Sequence, residues 1–77
     1  MIKADKELDV RGLNCPLPLL RTKKMLSQMN AGEVIKVLAT DPAADIDFTV
    51  YSEVTGNKII SSKKTKTEMV FFLQKKA

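Results

Sequence analysis

Asp41-Pro42-Ala43-Ala44-Asp45-Ile46-Asp47-Phe48-Thr49-Val50-Tyr51-Ser52-Glu53-Val54-Thr55-Gly56-Asn57 is the stretch on which the fold turns. Ile46, Phe48, Val50 and Val54 alternate with Asp47, Thr49, Tyr51, Glu53 and Thr55. That period of two favours a strand closed by the turn Thr55-Gly56-Asn57. Yet Ala43, Ile46, Val50 and Val54 also recur at spacings of three and four. Asp41-Pro42 would then supply a helix N-cap and first helical residue, with Gly56 as the stop. Propensity alone gives strand the edge, because the segment is rich in β-branched and aromatic residues.

The flanking segments are plainer. Upstream, Glu33–Thr40 is almost continuously apolar and β-branched, and reads as a central strand buried on both faces or nearly so. Before it, Leu19, Met25, Leu26 and Met29, with Thr22, recur at helical spacing from Pro18 to Met29. Arg21, Lys24 and Gln28 take the opposite face. The pattern predicts an amphipathic helix ending near Asn30-Ala31-Gly32, with Gly32 as its cap. Pro16 and Pro18 suit the opening turn, where a missing N–H costs nothing. Glu7–Arg11 alternates, with Leu8 and Val10 on one side, as a short half-buried strand does. Gly12-Leu13-Asn14 breaks it. Residues 1–6 are polar and expected to fray. Downstream, Lys58–Ser62 and Glu68–Lys75 read as strands paired in a hairpin across the polar turn Ser61–Thr67.

Composition limits the chemistry. The 77 residues make one domain with a single small core. The longest apolar run, Met69–Leu73, is far short of the roughly 20 residues that span a bilayer. No apolar signal region is visible in Met1–Lys6. There is one cysteine and no histidine. An internal disulfide, a structural zinc or iron–sulfur site and a His-based triad are therefore closed off. An unpaired thiol fits the reducing cytosol. The net charge of +4 is uneven. Asn57 to Ala77 holds six lysines and one glutamate, while the preceding residues hold seven bases and eight acids.

The functional question narrows to Cys15. A lone cysteine is commonly a small buried hydrophobe. Here it lies in a Gly-Leu-Asn loop just before a helix. A thiol at a helix N-terminus meets the positive end of the dipole and free backbone N–H groups, which lower its pKa and favour thiolate. The two prolines stiffen that turn and remove two donors, which leaves the Leu17 and Leu19 amides.

Leu8-Asp9-Val10-Arg11-Gly12-Leu13-Asn14-Cys15-Pro16-Leu17-Pro18 resembles the signature of the TusA/SirA-like sulfur-carrier family. That signature is Leu-Asp, two residues, Gly, two residues, then Cys-Pro-x-Pro. Asp41-Pro42-Ala43, Asp47-Phe48, Tyr51 and Thr55-Gly56-Asn57 are similar to the family's second motif at its usual spacing. The resemblance spans almost the whole chain. It implies an α/β (α+β) two-layer sandwich, β-α-β-α-β-β, with two helices packed on one face of a mixed four-stranded sheet. It also makes Pro42–Thr55 a helix, against the alternation.

The resemblance further implies that Cys15 accepts sulfane sulfur as a persulfide from a cysteine desulfurase or rhodanese-like donor. A downstream acceptor protein then takes it, for tRNA thiolation or another branch of sulfur metabolism. Such a carrier is a monomer that needs no cofactor or metal and acts with partner sulfurtransferases. Gly12, Pro16, Leu17, Pro18 and Leu19 would support the helix N-terminus beside Cys15. Glu7, Arg21, Lys63, Lys64 and Lys66 are candidate docking residues. Leu17 stands where many members have Glu, Glu7 where many have His, and Thr49 where Pro is common. The first two would sit beside the cysteine and bear on partner choice, not on sulfur chemistry.

Two other readings compete. The basic C-terminal portion suggests a regulatory or nucleic-acid-binding module. However, lysines without Arg or interleaved aromatics read better as a solvated surface, so direct nucleic-acid binding is not expected. A thiol redox sensor lacks a resolving cysteine. Met25, Leu26 and Met29 read as core, and Asp41 as a helix cap rather than a catalytic acid.

Overall fold

The structure, a computed structural model, describes residues 3–77. Its elements run β1 (Lys6–Asp9), α1 (Leu17–Ser27), β2 (Val34–Ala39), α2 (Ala44–Thr55), β3 (Lys58–Lys64) and β4 (Met69–Gln74). The sheet order is β1-β2-β4-β3. β1 and β2 are parallel, and β4 is antiparallel to both its neighbours. This is the α+β architecture expected, with a mixed sheet and two crossover helices.

Residues 41–57 do contain a helix. α2 begins two residues later than expected, with Ala43 at the N-cap. Asp41 precedes the helix: its carboxylate accepts from Ala43 N at 3.0 Å, and its carbonyl from Ala44 N at 3.0 Å. Gly56 closes the helix at φ 80°, in the left-handed region that glycine enters freely. Helical winding, unlike the alternation, separates exposed Ile46 and Val50 from Phe48. Phe48 is fully buried and meets Phe71 edge-on at 4.7 Å between ring centroids, with the planes at 64°. Such a pair adds about 0.5–1.5 kcal/mol beyond its buried area.

The core lies between the helices and one face of the sheet. Ile35, Val37 and Ala39 of β2 face Leu73, Phe71 and Met69 of β4, and all six are buried. α1 contributes Pro18, Thr22 and Leu26 to this core. Thr22 is satisfied there by donating to the Pro18 carbonyl at 2.8 Å. Among the described residues no layer covers the other sheet face, so Lys36 and Leu38 are only half-buried and β2 is less enclosed than its sequence suggested.

Three boundaries also differ from expectation. Residues 5 and 6 are tied down rather than frayed. Asp5 N donates to the Val34 carbonyl at 2.8 Å, Val34 N donates to the Asp5 carboxylate at 2.9 Å, and Lys6 pairs with Ile35. Met1 and Ile2 lie outside the described residues. α1 is capped at Gln28, and Gly32 sits in the following turn, where its N–H donates to the Lys75 carbonyl at 2.9 Å. β3 runs on to Lys64, so the hairpin turn shrinks to Thr65–Glu68, held by the Thr65 hydroxyl accepting from Glu68 N at 3.0 Å.

Candidate functional site

The segment from β1 to α1 is built as a held loop. Val10 is buried and its N–H donates to the Leu38 carbonyl at 2.8 Å, which fixes where the loop leaves the sheet. Gly12 then turns the chain at φ 83°, with its N–H on the Thr40 hydroxyl at 2.8 Å. Arg11 clamps the outside. Its guanidinium bonds Asp9 through Nε at 2.9 Å and Nη2 at 2.8 Å, and reaches Glu68 at 3.3 Å. Arg11 holds the Asp9 carboxyl down to about 2. The Asp9 and Glu68 carboxylates in turn push the Arg11 pKa up. The loop is thereby joined to the β3–β4 turn.

Cys15 sits at the end of this loop, and its side chain is exposed. Its peptide bond to Pro16 is cis. Pro16 is the N-cap of α1, and Pro18 is buried in the first turn. The Cys15 N–H donates to the Asp41 carboxylate at 2.5 Å, so one acid binds both the cysteine backbone and the start of α2.

The electrostatics reverse the expected shift. The thiol pKa is raised, first by the thiol donating to the Asp47 carboxylate, then by desolvation and the charges of Asp47 and Asp41. A helix N-terminus offers only about half a positive charge. A full carboxylate charge within hydrogen-bond reach outweighs it. The Leu17 amide does not serve the sulfur either, because it donates to the Asn14 carbonyl at 2.9 Å.

The other expected site residues separate. Leu17 is exposed beside the loop, and Leu19 lines a groove between α1 and α2. Lys63, Lys64 and Lys66 do lie at the thiol end of the sheet. Lys64 pairs with Met69, which pairs with Ala39, and Glu68 of the same turn meets Arg11. Arg21 is exposed at the α1–β1 edge, in a groove with Leu8 and Lys24. Glu7 is not beside the cysteine. It pairs with Lys36, while its neighbour Leu8 packs on the core, so Glu7 lies on the sheet face away from the helices.

Two acids, Asp41 and Asp47, belong to the site and were missed by sequence reasoning. Both are adequately explained as N-terminal acids of α2, favoured there by the dipole. Nothing in the pattern shows that they also face a thiol 26 and 32 positions away.

The profile of the sulfurtransferase TusA family matches residues 6–75. The chain belongs to the TusA family. It is 45% identical over 75 residues to the sulfur carrier protein TusA of Allochromatium vinosum, covering 97% of this chain and 99% of that protein. It is 36% identical over 74 residues to a putative sulfur carrier protein of Bacillus subtilis, covering 96% and 99%. The crystal structure of a SirA-like protein from Desulfitobacterium hafniense superposes with a TM-score of 0.80. That match covers 94% of this chain and 99% of the other at 23% identity, a likeness of fold alone. Among the described residues of this TusA-family chain, no helix is long and apolar enough to cross a membrane.

Proposed function

We propose that this chain is a single-domain sulfur carrier that holds sulfane sulfur as a persulfide on Cys15. The observation that carries the reading is an exposed thiol in the TusA-family motif, held at the lip of α1 by a backbone bond to Asp41. The Cys15 thiolate attacks the terminal sulfur of a donor persulfide. A bond forms between Cys15 Sγ and that sulfur, the donor's S–S bond breaks, and the donor leaves as a thiolate that takes up a proton. The acceptor's thiolate then repeats the step on the Cys15 persulfide. No net oxidation occurs, as in thiol–disulfide exchange. The donor is a cysteine desulfurase or rhodanese-like protein and the acceptor a second thiol protein. Those partners complete the site, so the carrier needs no base of its own. It works as a monomer in a reducing compartment, where the thiol stays free.

Mass spectrometry tests this directly. Incubation with a cysteine desulfurase and cysteine should add about 32 Da per sulfur atom, removed by reductant, as exchange at sulfur requires. Cys15→Ser should fold normally and gain nothing. Equal gain by that variant, or a Cys15 that reacts with alkylating reagent only after denaturation, sinks the proposal.

A further inference from the structure

Beyond Val10, where pairing to β2 ends, the loop amides are held in two ways. Two bonds are local. Arg11 N donates to the Asp9 carboxylate at 3.0 Å, and Leu13 N donates to the Val10 carbonyl at 3.2 Å, which closes a turn. Such bonds shape the loop but travel with it. Two others cross to the residues just past β2. Gly12 N donates to the Thr40 hydroxyl at 2.8 Å, and Cys15 N donates to the Asp41 carboxylate. The Arg11 side chain also crosses, to Glu68 at 3.3 Å, but that exposed ion pair is weak and screened by salt.

The Gly12 bond falls at the point where the loop turns. Gly12 stands at φ 83°, and a side chain there would meet no atom within 4 Å. Glycine is present for its backbone freedom, not for space. The same freedom makes it a hinge unless its peptide is fixed from outside. In a turn closed between Val10 and Leu13, the central Gly12 N–H has no partner within the turn. Thr40 supplies one. It is half-buried and follows the fully buried Ala39 at the end of β2, which lies between β1 and β4. Its branched Cβ restricts χ1, so the hydroxyl keeps one direction.

We propose that Thr40 is a positioning residue for Cys15: its hydroxyl pins the Gly12 hinge to the end of β2 and so sets where the thiol stands for exchange. This deepens the carrier reading and rests on it for its purpose. Thr40 acts through Gly12 and not on the sulfur itself. Attack on a donor persulfide needs the two sulfurs aligned, and a misplacement of about 1 Å can cost roughly 100-fold. A protein donor holds its own persulfide, so the carrier must bring its thiol to a set place. A small alkylating reagent approaches from any open side and makes no such demand.

The test pairs Thr40→Val, which keeps the branched shape and removes the acceptor, with Thr40→Ser, which keeps the hydroxyl. The sulfur donor is a cysteine desulfurase with cysteine. At saturating carrier, Thr40→Val should receive sulfur roughly fivefold to tenfold more slowly, the scale of one lost hydrogen bond. The half-saturating carrier concentration should stay at the parent's value. Thr40→Ser should recover most of the rate. Alkylation by iodoacetamide should reach the parent's plateau at high pH in both variants. Hydrogen exchange at the Gly12 amide should speed up in Thr40→Val by more than any change at the core amides of β2. That measurement involves no sulfur. A parent that gains no sulfur defeats the carrier reading, while Gly12 exchange still decides whether Thr40 pins the loop. Gly12 exchange that does not exceed the core change overturns the proposal. So does a weaker half-saturation at unchanged rate, or a serine variant as slow as the valine one. An alkylation plateau that falls with transfer also overturns it, since the defect would then lie in the thiol and not in its position.

Discussion

At Cys15 two general rules point opposite ways, and distance decides between them. The helix terminus favours thiolate, while Asp47 within hydrogen-bond reach and Asp41 one bond away favour the protonated thiol. The apparent pKa from alkylation rate against pH should therefore lie above the ordinary thiol value. Asp47→Asn removes the largest cause. The whole rate profile should move to lower pH, with faster alkylation at neutral pH and an unchanged plateau at high pH. A profile that stays put would show that Asp47 does not govern the thiol. The linkage to stability follows in sign. The folded thiol binds its proton more tightly, so its contribution is present below the unfolded pKa and is lost as pH rises through the folded one. Asp9, held down to about 2 by Arg11, contributes above the ordinary carboxylate range and loses that as pH falls through about 2.

At the scale of elements, the second motif divides into parts with different work. Asp41 and Asp47 face the sulfur, while Phe48 and Tyr51 pack against the core. The Thr55-Gly56-Asn57 end of the motif is a helix stop. Buried Asn57 donates to the Tyr51 hydroxyl at 3.1 Å and accepts from Lys76 N at 2.8 Å, which ties the C-terminal segment to α2. Gly56→Ala should cost about 1–2 kcal/mol, the penalty of a left-handed L-residue. Its new Cβ would also meet Lys76 Cδ at 2.9 Å, a flexible tail that can move aside. Denaturant unfolding should show a lower midpoint at unchanged slope, and alkylation of Cys15 should not change. A midpoint within error of the parent would mean that the turn relaxes to another geometry.

For the whole molecule, one layer of core carries both helices. Phe48 is the contact through which α2 reaches Phe71 on β4. Phe48→Ala should cost about 3–5 kcal/mol. A chain of this size holds roughly 4–12 kcal/mol in all. The variant should therefore melt well below the parent and lose most of its cooperativity. Because α2 carries Asp47 to the thiol and Asp41 is held against its first turn, the site should fail with the core. A Phe48→Ala protein that melts near the parent would place the stabilising contacts elsewhere.

Several features were legible in the chain itself. Local signals placed the loop thiol before a helix, and the Met25, Leu26 and Met29 cluster proved buried or half-buried. The strongly apolar Glu33–Thr40 run became an interior strand, since β-branched residues suit a pleated surface whatever surrounds them. Motif resemblance, not periodicity, pointed to a helix at residues 42–55. Even then the apolar spacing named the wrong face: Ile46, Val50 and Val54 satisfy a helical repeat, yet Phe48 and Ala44 are the residues inside. Only tertiary structure decides that phase, because a helix rotates to bury its largest side chain where a partner ring stands, and Phe71 is 23 residues away. The sign of the field on Cys15 was illegible for the same reason. Coulomb energy depends on distance in space, and no spacing along the chain shows that α2 and the turn before it bring two carboxylates to the thiol.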